Sequence, residues 1–141
     1  MAKIRHIALA TNDPEKTAEF YKKAFGFEEV ARTEPGNPLA SGVYLSDGTL
    51  NLAVLKFKSD QLGKGMDFVG VHHFGVVVDD LQKASERIEA LGADCFMGRP
   101  EGTTDEDTFF ETKFHGPDGT VFDISEHPWA GSAPLDAKSG K

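Results

Sequence analysis

The sequence is short of the residues on which several protein classes depend. A single cysteine, Cys95, occurs in 141 residues. That excludes an intrachain disulfide framework and a cysteine-paired structural zinc site, and a lone cysteine reads as a small packing residue. No apolar run approaches the roughly 18 residues of a membrane span, and the opening MAKIRHIALATND is too polar for a secretory signal. A soluble, cytoplasmic chain is expected. Positive charge is also scarce, with 15 Lys and Arg against 23 Asp and Glu and a net charge of −8. Phosphate backbones call for clustered cations, so neither nucleic acid nor a membrane surface is an expected partner.

What is present suits one globular domain with a real core: 39% of residues are hydrophobic and 27% charged. Residues 3–11 read as a strand, with His6, Ala8 and Ala10 on one face and Ile7 and Leu9 on the other. Asp13 then caps a helix that has Pro14 in its first turn, carries Thr17, Phe20, Tyr21 and Ala24 on one face and ends at Gly26. Further β-prone stretches at 27–33, 41–46 and 49–57 are separated by a Pro/Gly-rich segment and by the turn Asp47-Gly48.

The pattern then restarts. Residues 71–78 form a strand, and Asp80 caps a helix with Leu81, Ala84, Ile88 and Leu91 on one face. His73 follows His6 by 67 residues and Asp80 follows Asp13 by the same 67, so the second half copies the first. A strand at 108–114, the turn Gly116-Pro117-Asp118-Gly119 and a last strand at 120–125 complete the second unit. Asp118 follows Asp47 by 71 residues, a net excess of four, and the acidic, Gly-rich stretch 98–107 is where a surface loop or lid would hold them. The expected organisation is one domain over 1–127, with module one at about 3–57, a connector at 58–70 and module two at about 71–126. Residues 128–141 read as a flexible tail too small and polar to pack.

His6-Ile7-Ala8-Leu9, Asp13-Pro14-Glu15-Lys16, Phe20-Tyr21 and Phe25-Gly26-Phe27-Glu28 resemble the opening module of the vicinal oxygen chelate superfamily, which includes glyoxalases, bleomycin resistance proteins and extradiol dioxygenases. The runs 71–81 and 116–124 resemble its second module. The resemblance implies an α+β fold of two tandem βαβββ modules whose mixed sheet curves into an open cleft. It also implies a small-molecule substrate, a homodimer and a divalent ion held by the first-strand histidine and last-strand carboxylate of each module.

Carried onto this chain, that pattern gives His6, His73 and Asp123 as metal ligands, while a count from Asp47-Gly48 puts Leu52 at the remaining position, which cannot ligate. Two imidazoles and a carboxylate accept Fe2+, Mn2+, Ni2+ or Zn2+, and the sequence does not choose between them. Alternation places Asp123 on the cleft side, with Phe122 and Ile124 facing the helices. Glu126 becomes a rival carboxylate only if the strand bulges after Ile124. The same alternation turns His72 away from His73, and His115 is a candidate acid/base group. Most of Phe68, Phe74, Phe96, Phe109, Phe110, Phe114 and Trp129 would serve the core, and the rest would wall an apolar pocket.

The expected function is that of a metal-dependent enzyme acting on a small substrate that chelates the ion through oxygen, either of extradiol-dioxygenase type or a lyase or isomerase. Two departures bear on this. The tyrosine that extradiol enzymes carry about ten residues before their carboxylate is missing from Glu111-Thr112-Lys113, and Ala8 replaces the threonine of the fosfomycin-resistance type. The alternative, from another class, is a metal-free drug-binding protein of the bleomycin-resistance type.

Overall fold

The structure, a computed structural model, describes residues 1–98 and 111–135. Strand β1 (Ala2–Ala10) leads into helix α1 (Pro14–Phe25). There the Asp13 side chain accepts a hydrogen bond from the Lys16 N–H, and Gly26 closes the helix at φ 77°. Strands β2 (Glu28–Arg32), β3 (Ala40–Ser46) and β4 (Asn51–Phe57) complete the first module. The second comprises β5 (Gly70–Val78), α2 (Leu81–Ala90), β6 (Asp94–Met97), β7 (Thr112–His115) and β8 (Val121–Ser125). Asp80 caps α2 by accepting from the Lys83 N–H.

All eight strands join one sheet in the order β2-β3-β4-β1-β5-β8-β7-β6. Each module contributes four strands, and the two halves meet where β1 runs antiparallel to β5. Within each half the first and last strands are parallel, β1 with β4 and β5 with β8. This is the α+β mixed open sheet of two βαβββ modules that the resemblance implied.

The helices cover one face of the sheet. Ala18 and Tyr21 of α1 pack on Val43, Leu45, Leu52 and Val54, and Ala84 and Ile88 of α2 pack on Phe114, Phe122 and Ile124. The other face carries Ala8, Ala40, Ala53 and Leu55 with Tyr44 and Phe57 against them. Small residues at its centre leave room for a cleft.

Several expectations need correction. Phe20 and Leu91, placed on the buried helix faces by their spacing, are 62% and 82% exposed, because only a narrow stripe of each helix meets the sheet. Cys95 is exposed on the edge strand β6 rather than packed. The tail is docked over its first part: the Ala133 N–H donates to the Thr49 carbonyl, Ser46 Oγ donates to the Gly131 carbonyl, and Arg5 Nε donates to the Ala133 carbonyl. Small residues permit this close approach, since a Cβ on Gly131 would lie 2.7 Å from Ser46 Cβ and 2.9 Å from a Val30 methyl. The proposed loop or lid at 98–107 falls outside the described residues apart from Gly98, as do Phe109 and Phe110.

Candidate metal centre

The β1–β5 seam brings the two repeat-related histidines together. His6 Nε2 and His73 Nε2 are 3.3 Å apart, and Asp123 Oδ2 on the neighbouring β8 lies 3.1 Å from His73 Nε2. One ligand atom from each of these buried residues falls within 4.8 Å of the others. Asp123 is on the cleft face because it pairs with Gly75 in β5 while Phe122 and Ile124 turn to the helices.

The register also identifies its counterpart in module one. Ala8 pairs with Ala53 as Gly75 pairs with Asp123, so the position is Ala53, and Leu52 faces α1. Two residues, Thr49 and Leu50, separate Gly48 from Asn51, whereas Thr120 alone separates Gly119 from Val121, and this put the count from Asp47-Gly48 one residue out of step. Ala53 offers no ligand either, so three donors remain.

Hydrogen bonds fix what the two imidazoles offer. Asn51 Nδ2 donates to the Ala130 carbonyl, which directs Asn51 Oδ1 at His6 Nδ1, 2.8 Å away. Since Oδ1 only accepts, His6 carries its proton on Nδ1 and presents a lone pair at Nε2. His73 Nδ1 meets His72 Nδ1 at 2.8 Å, leaving His73 Nε2 for the centre. Two ring nitrogens and a carboxylate therefore converge, with a lone pair on His73 Nε2 when its proton sits on Nδ1, and Asp123 Oδ1 is buried without a hydrogen-bond partner among the described residues. Such a donor set calls for a cation and fits a divalent ion.

One cation is built in. Lys113 Nζ lies 2.7 Å from Asp123 Oδ2, 3.4 Å from His73 Nε2 and 3.3 Å from Glu111 Oε2. Burial works against charge on Lys113, but Asp123 and Glu111 outweigh it and hold the ammonium above the ordinary lysine range. Glu111 also accepts from Trp129 Nε1, and the Trp129 ring stacks on His6 with centroids 4.7 Å apart and planes within 6°. Lys113, Glu111, Trp129 and Asn51 were not singled out as site residues from sequence. Only Lys113 left a signal, ten residues before Asp123 where a tyrosine is absent.

His72 does not turn away from His73. Ala8 pairs with His73 and Leu9 with Val71, so the ladder shifts at His72 and breaks the alternation. Its ring stacks on Phe57 at 3.8 Å. The other candidates lie elsewhere: Glu126 accepts from the Leu81 N–H at the start of α2, and His115 pairs with Asp94 and stacks on Phe96. Above the triad opens a cavity of ≈ 230 Å³, lined by His6, Tyr44, Leu55, Phe57, His73, Met97, Glu111 and Lys113 among others.

Two predictions arise from this packing. A Cβ on Gly75 would lie 2.4 Å from Asp123 Oδ1 and 2.8 Å from the Trp129 ring. Gly75→Ala should therefore lower stability by about 1–3 kcal/mol, measured by urea unfolding, as overpacking does; a neutral result would mean that the centre is looser than described. The second concerns pH. Burial first, then Lys113 and His6 beside it, hold His73 well below the ordinary histidine range. Burial and then His73 hold His72 at about 3. Both histidines are neutral in the folded chain, whereas unfolded they titrate near 6.5. Between about pH 6.5 and 5 the unfolded chain thus takes up protons that the folded one refuses. Stability should fall with pH at a slope approaching ~1.4 kcal/mol per unit for each histidine. Urea midpoints of the metal-free protein check this, with a shallower slope expected for His72→Asn.

Comparison with known proteins follows the same lines. The family model for the Glyoxalase/Bleomycin resistance protein/Dioxygenase superfamily matches residues 3–124. No curated protein gives a significant match. Among solved structures, a variant methylmalonyl-CoA epimerase from Streptomyces coelicolor in complex with 2-nitronate-propionyl-CoA is 22% identical, with TM-score 0.68, covering 86% of this chain and 94% of that one. The methylmalonyl-CoA epimerase from Mycobacterium tuberculosis is 17% identical at TM-score 0.68, covering 93% and 88%. A hypothetical protein from Bacillus halodurans is 15% identical at TM-score 0.71, covering 91% and 96%. At these identities the likeness is one of fold.

Proposed function

Because the chain belongs to the Glyoxalase/Bleomycin resistance protein/Dioxygenase superfamily, its model matching through both modules, we propose that it is a divalent-metal-dependent enzyme. Its substrate would be a small carbonyl compound, and its reaction a proton transfer of the isomerase or epimerase type. The observation that carries this reading is the convergence of His6 Nε2, His73 Nε2 and Asp123 at the floor of the cleft.

His6, His73 and Asp123 would hold the ion. When bound, a divalent ion supplies charge to polarise a substrate oxygen and to stabilise the negative charge that develops when a neighbouring C–H is lost. Glu111 is the one carboxylate among the described residues lining the cleft, and its pairing with Lys113 and Trp129 fixes its aim. It would accept and return the substrate proton. Leu55, Phe57 and Met97 limit water near that carbon. A cavity of ≈ 230 Å³ suits an acyl group rather than a whole cofactor-sized ligand. Action as a homodimer in the cytoplasm is part of the same proposal. Ring cleavage is less well supported, since Lys113 stands where that chemistry would carry a tyrosine.

The metal-free binding reading keeps one observation in its favour, namely that Lys113 already supplies a cation to the triad. The deciding experiment incubates the protein and Mn2+ in D2O with methylmalonyl-CoA, which one of the similar epimerase structures binds, and with simpler 2-substituted acyl thioesters. Metal-dependent deuterium incorporation at the α-carbon, lost in Glu111→Gln, is the expected result. No exchange with any thioester, alongside ligand binding indifferent to chelators, would reverse the assignment.

A further inference from the structure

We infer that Lys113 and a divalent ion are alternative tenants of one cation place, so that the ion enters only when the Lys113 ammonium leaves Asp123. The inference rests on the metal reading above and assigns to this chain a residue that sets its metal affinity.

The geometry carries it in three steps. Lys113 Nζ stands 2.7 Å from Asp123 Oδ2 and 3.4 Å from His73 Nε2, two of the three atoms that an ion would need. An ammonium and a divalent ion cannot share those atoms, because like charges that close among buried residues repel strongly.

Lys113 nevertheless fills the cradle incompletely. It takes one oxygen of Asp123 and leaves Oδ1 buried without a hydrogen-bond partner among the described residues. Of the two imidazoles it contacts His73 Nε2, at 3.4 Å, while His6 Nε2 lies 3.3 Å from that same atom. An ion accepting all three donors settles what the lysine leaves open. The cradle is thus shaped for a cation of higher coordination and guarded by one of lower.

The ammonium has somewhere to go. Glu111 Oε2 is already 3.3 Å from Nζ and lines the cleft wall, so a pivot away from Asp123 keeps Lys113 paired and turns it toward the cavity. Lys113 is the register equivalent of Tyr44, each lying across a hairpin from the paired positions Asp123 and Ala53. Module two therefore carries carboxylate and ammonium where module one carries alanine and phenol.

The test is Mn2+ affinity by equilibrium dialysis for the wild-type chain, Lys113→Met and Lys113→Gln, with folding of each checked by circular dichroism. Lys113→Gln keeps a hydrogen bond for Asp123 should Lys113→Met fail to fold. Both variants are expected to bind at least about tenfold more tightly, a conservative share of the repulsion removed with one charge at this distance. In the wild-type chain, saturating Mn2+ should also speed acylation of Lys113, read by peptide mapping. Equal affinity in all three proteins, or labelling of Lys113 unchanged by bound Mn2+, overturns the inference and leaves the metal reading standing. No binding by any of the three overturns both.

Discussion

Asp123→Ala is expected to cost about 3–5 kcal/mol of stability in the metal-free protein, the penalty for leaving one member of a buried ion pair without its partner. Asp123 is fully buried and Lys113 is 4% exposed, so neither charge has water to fall back on. The loss comes from the Lys113 ammonium, left with Glu111 as its remaining counter-charge among the described residues, which sets up a sharper check than the single variant. Asp123→Ala with Lys113→Met should be less destabilised than the sum of the two changes, with a coupling of about 1 kcal/mol or more in a double-mutant cycle by urea unfolding. Additive losses would show that the pair is not the interaction described.

Trp129→Ala is expected to cost a similar amount, about 3–5 kcal/mol, the usual range for removing a buried large aromatic ring. Trp129 is 5% exposed, stacks on His6, and donates to Glu111. Its loss would open a void beside Gly75 and release both His6 and Glu111. Ending the chain at His127 should be at least as damaging, because Ala130, Gly131 and Ala133 also lose their hydrogen bonds to Asn51, Ser46 and Thr49. Urea unfolding of both proteins checks this; a change within about 0.5 kcal/mol, as for an ordinary surface site, would mean that the segment does not hold the site together.

The first-strand histidines were legible because the 67-residue repeat puts His6 and His73 in equivalent strands, and equivalent central strands of a two-module sheet lie side by side. Asp123 was legible from alternation, since apolar Phe122 and Ile124 fix which face goes to the helices. What the sequence withheld depends on pairing between distant strands. The bulge that turns His72 toward His73 exists only in the β1–β5 register. The exchange of Leu52 for Ala53 turns on where the Asp-Gly pair sits in each hairpin, with two residues between it and the last strand in module one and one in module two. Lys113 could have been placed opposite Asp123 by counting across the turn, yet a lysine in a strand reads as solvated until a buried carboxylate is known to face it. The tail misled through composition: Gly131 and its small neighbours looked too slight to pack, whereas their smallness is what lets the backbone lie against Val30 and Ser46.

The central claim is that two modules assemble one cation site from His6, His73 and Asp123. Equilibrium dialysis of Mn2+ against the purified chain, beside His6→Ala, His73→Ala and Asp123→Ala, addresses it most directly. The account predicts one ion per wild-type chain and at least a tenfold to hundredfold weaker site in each variant, roughly the loss seen when the support of a metal ligand is removed. Binding that survives all three substitutions, or a wild-type chain that takes up no ion, would contradict it.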